Sequence, residues 1–207
     1  MQFAATDAAW SAAFELMATS GGGASEIRFW AANMLYSKVQ KDWRSAAVAT
    51  QERVYAQLLA MSLDASGETL ELLSLLVVER LCLCLATIAS ATSPEALVAL
   101  LQRCLAVGAA RPLVVLSVIE PLPRAIADSV FTMAEQQRLG GSLDAAAPSV
   151  ASFLEFALGV RPATTTSGGS SSIVAVSLAQ KRLVMRTLGA WADGERRDVA
   201  PPITLGT

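Results

Sequence analysis

The chain of 207 residues contains no histidine. Without an imidazole it has neither a Ser-His-Asp or Cys-His nucleophile system nor a histidine ligand for a metal ion. The phosphate-binding and nucleophile signatures GxGxxG, GxxxxGK[ST] and GxSxG are also missing. The glycine runs Gly21–Gly23 and Gly168-Gly169 lead into Ala-Ser and Ser-rich sequence, which is typical of linkers. We therefore expect no enzyme, no cofactor and no metal site.

Cysteine is scarce, with only Cys82, Cys84 and Cys104. The odd count and the lack of a CxxC pair do not fit a disulfide framework or a zinc site. Cys82 and Cys84 lie two positions apart in a helical pattern, so their side chains do not face each other. We expect three reduced, buried thiols in a cytosolic or nuclear protein.

Charge is sparse and nearly balanced, with 16 basic and 18 acidic residues and a net charge of −2. No global positive field therefore attracts nucleic acid, and we expect no direct nucleic-acid binding. The basic runs Lys181-Arg182 and Arg196-Arg197 are interpreted as solvated helix faces. The first ten residues, MQFAATDAAW, lack a basic region and carry Asp7, which argues against a secretory signal.

Hydrophobic residues make up 53% of the chain, while aromatic residues contribute only 6%. The longest apolar run, Leu70 to Ala91, is interrupted by Glu71, Glu79 and Arg80. A charge near the centre of a bilayer costs about 2.5–3.5 kcal/mol on insertion scales. This run therefore predicts a buried helix of a helical array rather than membrane insertion.

Apolar residues recur at helical spacing between Gly, Pro and Ser breakers along the whole chain. Ser93-Pro94-Glu95 is a strong helix start, and Gly108 and Gly159 are stops. The predicted helices are Thr6–Ala18, Ser25 to Asp42 or Trp43, Arg44–Leu63, Glu68–Ser90, Pro94–Val107, Pro112 to just before Pro121, Ala125–Arg138, Ser142–Leu158 with its regular part from Pro148, and Ile173–Ala192. A break is expected at Gly140-Gly141, a mobile loop at 161–172 and a frayed tail at 194–207.

The segment Glu26–Trp43 predicts a helix that is apolar on two adjacent faces and therefore needs neighbours on both sides. One stripe comprises Phe29, Ala32, Tyr36, Val39 and Trp43, and the second comprises Ile27, Trp30, Ala31, Met34 and Leu35.

The spacing of the most apolar helices suggests repeats. Their centres near Ala31, Val78, Val118 and Val184 lie about 47, about 40 and about 66 residues apart. The first two gaps match the period of paired-helix HEAT units, and the third also holds the segment Ala125–Arg138 and the Ser-rich loop. Such units bury their faces by stacking. We expect an all-α fold, an α-α superhelix of HEAT or armadillo type, with about four to five repeats over residues 1–207.

The order of motifs resembles the N-terminal region of the importin-β (karyopherin-β) superfamily of nuclear transport receptors, closest to the transportin-SR and importin-thirteen branch. The motifs are Ala9-Trp10, the helix Glu26–Trp43, the run Leu81–Ala89, the proline-terminated Pro112–Pro123 and the segment Lys181–Gly194. They span some 185 residues. Two departures stand out: Leu122, Pro123 and Arg124 replace residues that are often acidic in the family, and the first helix of the first repeat has no counterpart.

The resemblance implies a shuttling protein of cytoplasm and nucleus. Its partners would be the GTP form of the Ran GTPase, protein cargo and nucleoporins, with the GTPase on the inner helices of the first repeats. The inner-helix residues carried over as the partner-binding surface are Gln51, Glu52, Gln57, Gln102 and Arg103.

Family members are several times longer, so the resemblance implies that the chain is an N-terminal piece of such a receptor, a truncated gene product or a short paralogue. The resemblance leaves open whether the transport is import or export. The alternative is a HEAT or armadillo scaffold for protein–protein interaction that is unrelated to Ran. In either case an uncapped terminal repeat exposes apolar surface, and we expect self-association.

Overall fold

The computed structural model describes residues 7–19, 23–64, 74–127, 131–159 and 178–197, and within these ranges it contains helices and no strands. The helices are α1 Ala8–Met17, α2 Ala24–Asp42, α3 Val48–Ser62, α4 Leu75–Thr92, α5 Pro94–Val107, α6 Pro112–Ile119, α7 Leu122–Ala127, α8 Met133–Leu158 and α9 Leu178–Arg197, with a 3-10 turn Trp43–Ser45 after α2. The prediction of an all-α fold is confirmed.

Helix α4 lies at the centre of the packing and contacts α2, α3, α5, α6 and α7. The helices α2, α4, α6 and α9 contact one another in that order and form one row. Helices α1, α3, α5 and α8 each pack on helices of this row, α1 on α2, α3 on α4, α5 on α4 and α6, and α8 on α9, and α8 also packs on α5. These four helices are here termed the second row. The largest fully buried side chains between the rows are Trp10, Met17, Leu35, Leu58, Leu63, Leu81, Leu85, Leu97, Leu100, Leu101, Leu116 and Ile119.

Helix α4 is also the one described helix that is long and apolar enough to cross a membrane by length and composition. In this fold 56% of its residues are buried. The side chains of Leu81, Cys82, Leu85 and Ala86 are fully enclosed by neighbouring helices. The sequence-based prediction of a buried helix is confirmed.

The helix boundaries predicted from Ser, Pro and Gly are found in the structure. The Ser93 hydroxyl accepts a hydrogen bond from the Ala96 N–H at 3.1 Å, and Pro94 occupies the first turn of α5. Helix α8 ends at Gly159, which adopts a left-handed conformation with φ of 74°. Helix α6 begins at Pro112 and ends before Pro121, as expected from residues that cannot continue a helix.

The predicted organisation between 125 and 158 is wrong. Instead of two helices broken at Gly140-Gly141, the single helix α8 runs from Met133 through both glycines and Pro148. Thr132 and Glu135 form a capping box that starts it, and buried Leu139, Val150, Phe153, Leu154 and Ala157 anchor it against the fold. Burial of these side chains outweighs the weak helix propensity of the glycines. Pro148 is exposed, so the helical hydrogen bond that it cannot donate is lost on the solvent side of α8 rather than in the core.

Other predicted details also differ. The third helix begins at Val48 rather than Arg44, because the chain forms the 3-10 turn first. The described part of the fourth helix begins at Leu75, and the last helix continues to Arg197. The second stripe on α2 is only half buried: Ala31 and Leu35 are enclosed, whereas Ile27 and Trp30 are exposed. Residues 65–73, the predicted loop 161–172 and the tail beyond 197 lie outside the described residues.

Candidate protein-binding surface

The five residues predicted for partner binding occupy two helices of the second row. Glu52 and Gln57 are exposed on α3, and Gln102 and Arg103 are exposed on α5. Gln51 is half-buried, and its Nε2 donates a hydrogen bond to the Trp43 carbonyl at 2.7 Å. Gln51 therefore fastens the 3-10 turn to α3, while the other four present their side chains to water.

The four exposed residues do not form one cluster. Glu52 and Gln57 are five positions apart, so they point about 140° away from each other around α3. Arg53 shares the face of Gln57 and donates a hydrogen bond from Nη1 to Ser11 Oγ of α1 at 2.8 Å. Gln57 thus lies on the flank of α3 toward α1.

The opposite flank of α3 faces α5. Burial raises the pKa of Tyr55, and Cys104 adds to that rise while Arg103 opposes it, so both α5 residues lie near the phenol. Arg103 Nη2 is also hydrogen-bonded to Asp64 just after α3. Glu52, three positions before Tyr55, lies on this flank. The structure therefore places Arg103 at the end of α3, beside Asp64, while Glu52 lies twelve positions before Asp64 and Gln57 lies on the other flank.

Polar pairs bridge each neighbouring pair of helices along the second row. Arg53 joins α3 to α1, and the ion pair Arg103–Asp64 joins α5 to the end of α3. Arg138 Nη1 of α8 lies 3.1 Å from Glu95 Oε1 at the start of α5. The partners are exposed or nearly so, so each pair contributes at most about 1 kcal/mol of stability. Together they give the second row a surface of guanidinium, carboxylate and amide groups.

Three helices of this row also have their C-terminal carbonyls occupied by a long side chain from elsewhere. Arg28 Nη2 donates to the Thr19 carbonyl after α1 at 2.6 Å. Arg111 Nη1 donates to the Leu63 carbonyl after α3 at 2.9 Å, and Gln180 Nε2 donates to the Ala157 carbonyl in α8 at 2.8 Å. Such carbonyls have no intrahelical partner, so these donors hold the helix ends in place.

The first row is joined through aromatic side chains as well as through the ion pair Arg186–Glu120. The Arg80 guanidinium of α4 lies 5.4 Å from the ring centroid of Tyr36 on α2. Trp43 Nε1 donates to Thr92 Oγ1 at 3.3 Å, and Trp191 Nε1 of α9 donates to the Ile119 carbonyl at 3.2 Å. The two hydrogen bonds are donated by Trp43 and Trp191, which belong to the motifs Glu26–Trp43 and Lys181–Gly194.

The described residues offer little reactive chemistry. They contain no group of three or more His, Cys, Asp or Glu side chains able to hold a metal ion. Burial raises the pKa values of Cys82 and Cys84, and it raises that of Cys104 to about 12. The thiols are therefore protonated at neutral pH and unreactive as nucleophiles. Their predicted burial is confirmed.

Sequence reasoning missed Arg53, Asp64, Glu95 and Arg138 as members of this surface. Their partners are 39 to 43 residues away in sequence, since Ser11 pairs with Arg53, Asp64 with Arg103, and Glu95 with Arg138. This spacing matches the period of about 40 residues used for the repeat argument. Opposite charges one period apart in the sequence are therefore the signal for two of the three pairs, Asp64–Arg103 and Glu95–Arg138.

The chain was compared with models of known protein families, with characterised proteins and with solved structures. It gives no significant match to any of them.

Proposed function

We propose that the chain is the N-terminal helical-repeat part of a nuclear transport receptor that binds the GTP form of Ran and protein cargo. In this proposal the two rows of helices are the layers of a HEAT-type superhelix, and the second row is the inner layer. The protein moves between cytoplasm and nucleus by contact with nucleoporins. It binds its partners without catalysing a reaction, inserting into a membrane or contacting nucleic acid directly.

The observation that carries the proposal is the alternation of helices between the two rows. Helices α1, α3 and α5, which the resemblance assigns to the inner layer, each pack on helices of the first row and alternate with them along the chain. In a helical-repeat receptor one layer of helices forms the binding surface. The side chains exposed on this layer include Glu52, Gln102 and Arg103.

The polar bridges along the second row support a binding role. Arg is enriched at the energetic centres of protein interfaces because its planar guanidinium binds carboxylates bidentately while its stem packs. Arg103 is held by Asp64 at the α3–α5 junction, so its position is partly fixed before a partner arrives. A fixed side chain loses less entropy on binding, which strengthens the complex.

The test is a comparison of matched arginine variants in binding to GTP-loaded Ran from the same organism. Arg103→Ala removes a guanidinium from the second row, and Arg186→Ala removes one from the first row, where it pairs with Glu120 at 2.8 Å. Both are exposed ion-paired arginines, so neither change is expected to unfold the chain. We expect Arg103→Ala to weaken binding about tenfold or more and Arg186→Ala to change it less than about twofold.

A scaffold unrelated to Ran remains the second candidate, since the same alternation of helices suits any protein-binding superhelix. It predicts no measurable affinity for the GTPase in either nucleotide state. Equal losses in both arginine variants would instead place the GTPase contact outside the second row.

A further inference from the structure

Helix α8 contains two adjacent glycines, Gly140 and Gly141, that no packing contact requires. Both have ordinary helical backbone rather than a positive φ, and a Cβ at either one would meet no neighbouring side chain within 4 Å. By contrast, Gly159 has a positive φ of 74°, and Gly108 lies against the Phe153 ring. The physical effect that remains for Gly140 and Gly141 is backbone freedom, which glycine has in greater measure than any other residue.

Pro148 weakens the same helix two turns later. Because proline has no N–H, the helical hydrogen bond that residue 148 would donate to the Asp144 carbonyl does not form. Glycine and proline are also the two residues with the lowest helix propensity. The turns between Gly140 and Pro148 are therefore the part of α8 that opens at the lowest cost.

The buried side chains of α8 divide at the same place. Leu139 is 2% exposed, and the next fully buried side chain is that of Val150. Between them, in the stretch 140–149 that the structure describes without a gap, Leu143 and Ala146 are half-buried and no side chain is fully buried. This stretch, here termed the hinge, therefore has few tertiary contacts to hold it when its backbone opens.

The segment 150–158 after the hinge, here termed the anchor, is fixed to two helices. Phe153 and Ala157 are buried, and the Phe153 ring lies against Gly108 at the end of α5. Gln180 Nε2 at the start of α9 donates a hydrogen bond to the Ala157 carbonyl at 2.8 Å. The anchor thus joins the end of α5 to the start of α9.

The segment 133–139 before the hinge, here termed the arm, is attached by fewer contacts. Leu139 is its one buried side chain. Arg138 Nη1 lies 3.1 Å from Glu95 Oε1 in the first turn of α5, and both of these side chains are 63% exposed. An exposed ion pair contributes little, because water and salt screen it. The capping box of Thr132 and Glu135 stabilises the first turn of the arm but does not join it to α5.

We propose that α8 opens at the hinge, so that the arm detaches from the start of α5 while the anchor stays in place. A free helix of two turns is unstable in water, so the arm unfolds when it leaves α5. Opening separates Arg138 from Glu95 and exposes Leu139, and it gives the second row a local conformational change that leaves the other helices packed. The opening depends on α8 and its contact with α5, whatever repeats precede or follow and whichever partner the second row binds.

The test is hydrogen–deuterium exchange of the full chain, followed by mass spectrometry of its peptides. The first four N–H groups of α8 lack a helical partner, so the comparison is between the amides of residues 137–147 and those of the anchor. In the unaltered chain the amides of 137–147 should exchange at least about tenfold faster than those of the anchor. Equal exchange in the two segments would overturn the proposal.

Glycine variants test the hinge itself. The double change Gly140→Ala and Gly141→Ala should slow exchange of 137–147 about tenfold or more, because alanine favours the closed helix. Gly189→Ala is the matched control, since Gly189 is also a helical glycine with open space around it but lies on α9. It should change exchange of 137–147 less than about twofold. Equal effects of the double variant and the control would show that the glycines of α8 are not the point of opening.

A variant in the anchor distinguishes opening of the arm from opening of the whole helix. The anchor stays packed when the arm detaches, so Phe153→Leu weakens the closed and the arm-open states equally. It should therefore speed exchange of the anchor at least about threefold and leave exchange of 137–147 unchanged. Equal acceleration of both segments would overturn the proposal, because α8 would then open as one unit.

Discussion

The ammonium group of Lys38 lies 5.0 Å from the ring centroid of Trp10, so a buried lysine of α2 stacks on a buried indole of α1. Lys38 is only 5% exposed, and its Nζ also lies 2.9 Å from Asp42 Oδ2 one turn later. Trp43 meets Trp10 edge to face, with ring centroids 6.4 Å apart. Of the two tryptophans on which the motif comparison depends, Trp10 is therefore held both by the edge of Trp43 and by the attraction between the Lys38 cation and its aromatic face.

Replacing Lys38 should destabilise the fold. Lys38→Met keeps much of the stem but removes the charge from Trp10 and leaves the Asp42 carboxylate without this partner. We expect a loss of about 1–2 kcal/mol in the free energy of unfolding, measured by urea denaturation. Lys41→Met, an exposed lysine on the same helix, is the control and should cost less than about 1 kcal/mol. Equal losses in the two variants would show that the contact with Trp10 contributes nothing.

The same glycine-to-alanine change should have opposite effects at Gly108 and Gly141. A Cβ at Gly108 would lie 2.8 Å from two ring carbons of Phe153, whereas one at Gly141 meets nothing within 4 Å. Gly108→Ala should destabilise the contact between α5 and α8 by about 1–3 kcal/mol. Gly141→Ala should stabilise α8 by about 0.5–1 kcal/mol, because alanine has a higher helix propensity.

Thermal unfolding measures the stability of both glycine variants. The variant Phe153→Leu serves as a second background in which the same Gly108→Ala change is made. If the clash with the ring is the cause, Gly108→Ala should cost less in the Phe153→Leu background than in the unaltered chain. Additive losses in the double variant would contradict this explanation.

Two glutamates at helix starts should titrate below their ordinary pKa of 4.5. The Glu95 backbone N–H, and then the Ser93 hydroxyl, lower the pKa of the Glu95 carboxyl. The Thr132 backbone N–H, and then its hydroxyl, lower that of Glu135. A lowered pKa in the folded state stabilises the fold above pH 4.5, and this contribution disappears as the pH falls through the folded-state pKa.

Carboxyl chemical shifts followed by NMR from about pH 6 to about pH 2 measure these pKa values directly. Ser93→Ala should move the pKa of Glu95 back toward 4.5 and leave that of Glu135 unchanged. Thr132→Ala should do the reverse. A shift of both carboxyls in either variant would indicate a general electrostatic effect rather than local capping.

The three thiols should react only when the chain opens. Burial raises the pKa of Cys104 to about 12 and raises those of Cys82 and Cys84, so almost no thiolate exists at pH 7. A colorimetric disulfide reagent should therefore label none of them rapidly in the native protein and all three in guanidinium chloride. Rapid labelling of one native thiol, located by mass spectrometry, would contradict the burial of that side chain.

Much of the helical organisation followed from local signals in the sequence. Ser93-Pro94-Glu95, Pro112 and Gly159 mark boundaries through hydrogen bonding and backbone geometry, which a single sequence displays. The apolar spacing of Trp10, Phe14 and Met17 on α1 identified the face that is buried.

The errors arose where tertiary contacts outweigh local preference. Gly140, Gly141 and Pro148 disfavour a helix, yet α8 continues because its apolar side chains pack against α5 and α9. Trp30 was assigned to the core because of its hydrophobicity, but its position on α2 lies at an end of the array where no described helix follows. The separation of Gln57 from Arg103 likewise depends on which neighbour each flank of α3 meets, and periodicity alone does not specify this.

The most direct test of the account is calorimetric titration of the chain with Ran from the same organism, loaded in turn with GTP and with GDP. The proposal predicts heat of binding with the GTP form and affinity for the GDP form weaker by at least about tenfold. Absent or equal binding of the two forms to a sample that circular dichroism shows to be helical would contradict the assignment to a nuclear transport receptor.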